Sequence, residues 1–215
     1  GRQQKYLGSL KKIGTLLNKD FDKATIDDVK RVVAIIQQSN YTAWTRHGYQ
    51  IIIRRFYRWL MGDPNDTIYP EIVRWIKPKV KRSERRLPSD GELLTEEDAQ
   101  KLMEAAEHPR NKAFVATLWE SGARVGEIGS LKVKNVTFDK HGTVITVMGK
   151  TGSRKIRLVL STPYLSTWLN NHALTTEPDA PLWTNLGPIR KHKAMSYSNI
   201  RKILQTVAKK AGLKK

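Results

Sequence analysis

The sequence predicts a mainly α-helical protein with a small antiparallel β-meander, arranged as two units joined by a basic linker. Three observations predict it. Apolar residues recur at helical spacing through the first sixty or so residues. A stretch rich in lysine and arginine, bracketed by Pro78 and Pro88, follows them. Between residues 136 and 160 the period changes from helical to β-branched runs separated by glycines.

The elements follow in order. Tyr6, Leu10, Ile13 and Leu17 form the stripe of a first helix. Thr25 with Asp28 resembles a capping box ahead of Val29, Val32, Val33 and Ile36. A third and stronger helix is expected over residues 42–61, with Tyr49, Ile52, Ile53, Phe56 and Leu60 on its apolar face and Gly62-Asp63-Pro64-Asn65 as its stop. Pro70 suits the first position of a short helix. In the linker, Lys77, Lys79, Lys81, Arg82, Arg85 and Arg86 stand against the single acid Glu84. That pattern reads either as a solvated hinge or as a strap along phosphates, and the charge of the whole chain favours the strap.

The second part opens with Thr95-Glu96-Glu97-Asp98, a helix start, and Leu102 continues that helix. Another helix is expected over residues 111–121, stopped by Gly122. Residues 136–138, 143–147 and 156–160 read as the three strands, connected through His141-Gly142 and through Gly149-Lys150-Thr151-Gly152-Ser153. Helix returns at Thr162-Pro163 and continues to about residue 172. A last helix over residues 196–211 carries Ile200, Ile203, Leu204 and Val207 before Gly212.

Charge narrows the class of partner. Lys and Arg number 39 against 20 Asp and Glu, for a net charge of +19 and a pI near 10.2. A pI above about 9 is the footprint of a nucleic-acid binder, because cationic side chains release the counterions condensed on phosphates. A membrane-surface reading needs a basic amphipathic helix with an open apolar face, and none stands out. No apolar run approaches the roughly 20 residues that span a bilayer, and the N-terminus lacks the apolar core of a signal peptide. These features fit a cytoplasmic protein, and Gly1 in place of Met points to a processed or trimmed chain. The chain has no cysteine, which excludes disulfides and thiolate chemistry. Its five histidines are scattered with no i, i+4 pair, so no metal site is expected. No phosphate-binding glycine loop or nucleophile elbow implies a nucleotide, a flavin or any other cofactor.

The remaining chemistry centres on Ser121-Gly122-Ala123-Arg124-Val125-Gly126-Glu127-Ile128. An arginine just after a helix-stopping glycine can be aimed by a tight turn, and Glu127, about one helical turn on, can hold it. A buried Arg–carboxylate pair is often purely structural. Downstream, Lys150 sits at a glycine-flanked hairpin tip, with Arg154, Lys155 and Arg157 following as candidates to track a nucleic-acid backbone. Such an Arg and Lys suit phosphate chemistry: Arg pairs with phosphoryl oxygens in a two-pronged grip, and Lys can protonate a leaving oxygen.

Gly122-Ala123-Arg124-Val125-Gly126-Glu127-Ile128 resembles the first arginine box of the tyrosine-type site-specific recombinases, the phage integrase and Xer group. Residues 147–159, around Gly149-Lys150, are similar to the hairpin that carries that family's catalytic lysine, and Leu94-Thr95-Glu96-Glu97 resembles the usual entry to its catalytic domain. Tyr41-Thr42-Ala43-Trp44-Thr45-Arg46 and the following Arg54-Arg55-Phe56-Tyr57-Arg58-Trp59-Leu60 resemble its DNA-binding core-binding domain. The resemblance implies a helical, SAM-like core-binding domain over residues 1–76, a linker over 77–93 and part of the catalytic domain over 94–215. It implies Arg124 and Lys150 as catalytic residues supported by Glu127. It places DNA contacts at Thr42, Thr45, Arg46, Lys79, Arg85, Arg154, Lys155 and Arg157.

By the same resemblance, the partners are double-stranded DNA and further copies of the chain, assembled on DNA as a tetramer. The family's second box is His-x-x-Arg, followed later by the tyrosine nucleophile. The residues three positions after the five histidines are Gln50, Asn111, Val144, Thr175 and Met195, and the chain reaches Lys214-Lys215 where that box is expected. A fragment that binds DNA without cutting it is therefore expected. The alternatives are a non-catalytic protein that occupies recombination sites and, less favoured, an RNA-binding module.

Overall fold

The computed structural model describes residues 2–62, 68–85, 87–150, 152–188 and 191–213, apart from the side chain of Asp90. Asp63, Pro64 and Asn65 of the expected helix stop, Arg86 of the linker, Thr151 of the hairpin and Lys214-Lys215 lie outside the described residues. The chain divides into two compact units, Gly1–Leu87 and Pro88–Lys215.

The first unit is helical: α1 (Arg2–Leu17), α2 (Ile26–Gln38), α3 (Ala43–Met61) and α4 (Glu71–Arg74). The expected capping box starts α2, and a cap the sequence reading did not name starts α3. Thr25 Oγ1 accepts from the Asp28 N–H at 3.3 Å, and Asp28 Oδ2 accepts from the Thr25 N–H at 2.9 Å. Thr42 caps α3 by accepting from the Thr45 N–H at 3.2 Å. The stripes of the three long helices meet in one core that includes Leu17, Val32, Ile36, Ile53 and Tyr57. The linker is not uniformly a solvated strap. Val80 is buried, and Glu84 pairs with Arg46 at 2.9 Å.

The second unit contains α5 (Glu96–Ala105), α6 (Pro109–Ser121), α7 (Val125–Gly129), α8 (Thr162–Asn170) and α9 (Tyr197–Lys210). Its strands are β1 (Val136–Asp139), β2 (Gly142–Gly149) and β3 (Gly152–Leu158), an antiparallel meander in the order β1-β2-β3. Ile145, Val147 and Leu158 point from the sheet into a core with Phe114, Ile128, Leu165, Trp168 and Trp183. Both tryptophans also satisfy their ring N–H groups. Trp183 Nε1 donates to the Ile128 carbonyl at 2.7 Å and Trp168 Nε1 to the Leu182 carbonyl at 2.8 Å.

The third strand differs from expectation. It begins at Gly152 and ends at Leu158, so Val159 and Leu160 lie outside it. Glu120 on α6 is the reason. Its carboxylate accepts from the N–H groups of Val159, Leu160 and Ser161, and from the Ser161 hydroxyl, so the chain turns into α8 instead of extending the ladder.

Candidate phosphate site

The site begins with a helix stop. Gly122 sits at φ 56°, the left-handed conformation that ends α6 without a Cβ penalty. Ala123 is buried, and Arg124 follows in extended conformation as the residue that caps α7. This turn leaves the Arg124 side chain 79% exposed while Glu127, inside α7, is buried.

Glu127 is the hub. Its Oε1 accepts from Arg124 Nη1 at 2.9 Å, and its Oε2 accepts from the Arg124 backbone N–H at 3.2 Å. Oε2 also accepts from Arg154 Nη2 at 2.7 Å, reaching over from β3. The Arg154 and Arg124 hydrogen bonds together hold the Glu127 carboxyl down to about 2, against the desolvation that would raise it. Two guanidinium groups share one carboxylate, so the cluster keeps one net positive charge at a surface that exposes Arg124.

The hairpin that carries Lys150 starts against this hub. A Cβ built on Gly149 would lie 2.8 Å from Glu127 Oε1 and 3.2 Å from Arg154 Nη1, closer than any larger residue can sit without displacing them. Gly149 pairs with Gly152 across the ladder, which places exposed Lys150 in the turn between them. Arg124, Glu127, Arg154 and the base of the Lys150 hairpin are thus gathered in one place, although Arg124 and Arg154 are thirty residues apart in the chain.

The other candidates divide. Lys155 and Arg157 lie on the opposite face of β3 from Arg154, because β3 pairs Arg154 with buried Val147 and Lys155 with Thr146. Arg157 grips Asp139 through both Nη atoms at 2.7 and 2.9 Å, while Lys155 and Arg157 line an open concavity of about 550 Å³ with Thr137 and Thr146. In the first unit, the Thr42 and Thr45 hydroxyls face each other at 2.9 Å at the start of α3. Arg46 is tied down by the Gln37 carbonyl and Glu84. Lys79 and Arg85 are exposed. Of the two tyrosines in the second unit, Tyr164 packs against the core and Tyr197 is exposed. Among the described residues, no three His, Asp or Glu side chains gather as a metal-binding group, and no helix is long and apolar enough to cross a membrane.

Sequence reasoning missed the Arg154–Glu127 contact, and it grouped Arg154 with Lys155 and Arg157. The signal was present in Gly149-x-x-Gly152. Pairing Gly149 with Gly152 puts Arg154 opposite Val147 and on the core side. Buried Arg110 was also missed. Its Nη1 donates to the Thr184 carbonyl at 2.7 Å, and burial lowers its pKa to about 10.

A helical unit, a second unit with a three-stranded meander, and an arginine held by the acid three residues on beside a Gly-Lys hairpin are the features of a tyrosine recombinase. The chain belongs to the phage integrase family, whose family model matches residues 92–215. Among its relatives is the tyrosine recombinase XerA of Pyrococcus furiosus, 28% identical over 146 residues that cover 67% of this chain and 48% of that protein. XerA of Pyrococcus horikoshii is 25% identical over 201 residues, 92% of this chain and 65% of that one. The chain therefore spans about half to two thirds of the length of these relatives. Among solved structures, that of XerH bound to a difH substrate in a post-cleavage complex superposes with a TM-score of 0.66 at 20% identity, over 91% of this chain and 58% of that one. The XerA recombinase crystal structure gives 0.50 at 23% identity, over 99% and 70%. These likenesses show a shared fold.

Proposed function

We propose that this chain binds double-stranded DNA and supplies the arginine and lysine of a site-specific recombination centre. In the first step of that chemistry, a tyrosine oxygen attacks the scissile phosphorus. The bond to the 5′-oxygen breaks, leaving a 3′-phosphotyrosyl link and a 5′-hydroxyl. Arg124 stabilises the charge that builds on the non-bridging oxygens, the electrostatic effect that is usually the largest catalytic contribution. Lys150 gives its proton to the departing 5′-oxygen. Glu127 holds Arg124 in place.

Residues 1–76 act as the core-binding domain, residues 77–93 as the linker, and residues 94–215 as part of the catalytic domain. Exposed Lys79, Arg85 and Lys155 meet backbone phosphates, and Thr42, Thr45 and Arg46 form the contact edge of α3. No histidine within residues 1–215 is followed by arginine three positions on, so by themselves these residues bind without cutting. The observation that carries the reading is the single hub at which Arg124 is held and the Lys150 hairpin is seated.

The test is fluorescence anisotropy of a labelled duplex across a salt series, followed by a denaturing gel. Affinity should fall steeply with salt, with a slope of about −0.9 per phosphate contact, and no covalent adduct should form. A flat salt response overturns the DNA reading. A covalent adduct overturns the statement that residues 1–215 do not cut. In a protein that also carries the second box and the tyrosine, Arg124→Ala should abolish cleavage and spare binding.

A further inference from the structure

Arg154 is badly placed to follow a duplex with Lys155 and Arg157, since the pleat of β3 turns it to the other face. It goes instead to the second oxygen of Glu127, at 2.7 Å. That choice has a consequence for Arg124. A carboxylate and a guanidinium prefer to meet through two parallel hydrogen bonds. Here Arg124 gives Glu127 one side-chain nitrogen, Nη1, to Oε1, while Oε2 takes Arg154 Nη2 and the Arg124 backbone N–H. Among the described residues, the other guanidinium donors of Arg124 meet no protein partner, and the side chain is 79% exposed. Arg154 also closes on the hairpin: its Nη1 would stand 3.2 Å from a Cβ at Gly149.

We propose that Arg154 is a positioning residue, which saturates Glu127 so that Arg124 keeps its remaining donors for a phosphate and the Lys150 hairpin stays seated beside it. The proposal rests on the reading that Arg124 and Lys150 act on a DNA phosphate. It gives Arg154 a role distinct from that of Lys155: the one acts through Glu127 and Arg124, the other on the DNA itself.

Guanidinium and amide NMR signals of the 215-residue chain, with and without a short duplex, test it. In the wild type, duplex should shift the Arg124 Nε–Hε signal and the Lys150 amide. Arg154→Ala should displace the Arg124, Gly149 and Lys150 signals in the free chain, because Arg124 swings into a two-pronged grip on Glu127. It should also remove most of the duplex-induced shift of Arg124, and the Glu127 carboxyl should titrate higher than in the wild type. Arg154→Lys should restore part of each effect, and Lys155→Ala should leave the free-chain signals in place. Gly149→Ala pushes on the same contact from the hairpin side and should displace the same signals. If Arg154→Ala leaves the Arg124 and Gly149 signals where they are, or leaves the duplex response of Arg124 intact, the proposal is overturned. If wild-type Arg124 and Lys150 do not respond to duplex at all, the underlying reading fails instead, whatever Arg154 does.

Discussion

Replacing Glu120 by alanine should destabilise the second unit by about 2–4 kcal/mol. The carboxylate accepts from three backbone N–H groups, those of Val159 at 2.7 Å, Leu160 at 3.0 Å and Ser161 at 2.8 Å, and from the Ser161 hydroxyl. Hydrogen bonds to a charged group contribute about 1.5–3 kcal/mol each, which sets an upper limit of roughly 6–12 kcal/mol if all four were buried and independent. They are neither. Val159 and Leu160 are exposed, so water replaces the acceptor at two of the four donors, while Ser161 is buried and cannot be rescued that way. The two remaining bonds, both from Ser161, would sum to about 3–6 kcal/mol if independent, but they share the single oxygen Oε2, which leaves about 2–4 kcal/mol, a fall in melting temperature of roughly 6–15 °C for a unit of this size.

The same contacts fix a pH signature. Burial pushes the Glu120 carboxyl up, but the bonds from the Ser161 hydroxyl and from the Val159, Ser161 and Leu160 amides outweigh it and hold the group below its ordinary 4.5. A carboxyl depressed in the folded state contributes stability that is complete above 4.5 and is lost as pH falls through the lower folded value. The gap between wild type and Glu120→Ala should therefore be widest near neutrality and narrow below pH 4.5. Urea unfolding followed by circular dichroism at several pH values measures both. A loss under about 0.5 kcal/mol at pH 7, or a gap that widens on acidification, would refute the reasoning.

Two further outcomes follow from single side chains. The Tyr57 hydroxyl is buried and meets no hydrogen-bond partner among the described residues, and burial pushes its pKa up to about 12. Tyr57→Phe should leave stability unchanged or raise it by up to about 1 kcal/mol, and a clear loss in urea unfolding would show that the hydroxyl is satisfied. Lys155→Ala should reduce the salt slope of duplex binding by about 1, whereas Arg157→Ala should change it less, because both Arg157 Nη atoms already hold Asp139. Equal effects would mean that Arg157 leaves Asp139 when DNA binds.

What was legible in the sequence was local. Thr25 with Asp28 and Thr95 with Asp98 cap helices through partners three residues away, so residue type and spacing suffice to find them. Gly122 reads as a stop because only a left-handed residue ends α6 cheaply. The first two strands announce themselves by β-branched runs, and Arg124, Glu127 and Lys150 stand out in motifs. What was not legible depends on partners brought together by folding. Glu120 meets a turn some forty residues on, and Arg110 meets the carbonyl of Thr184, 74 residues away. Nothing around either residue marks the partner. Arg154 lies between these cases. Its face on β3 follows from where the hairpin turns, and placing the third strand at residues 156–160 instead of Gly152–Leu158 hid that alternation.

The central claim is that the Lys150 hairpin meets the DNA backbone beside Arg124. Because the chain has no cysteine, a single Lys150→Cys variant can be trapped through a disulfide to a duplex that carries a thiol tether on one phosphate. Lys140→Cys, in the turn at the other end of the eight-residue β2, about 25 Å away, is the control. Trapping should be many-fold faster at position 150 than at position 140, and should slow as salt is raised. Equal rates at the two positions, or faster trapping at 140, would contradict the placement of the site.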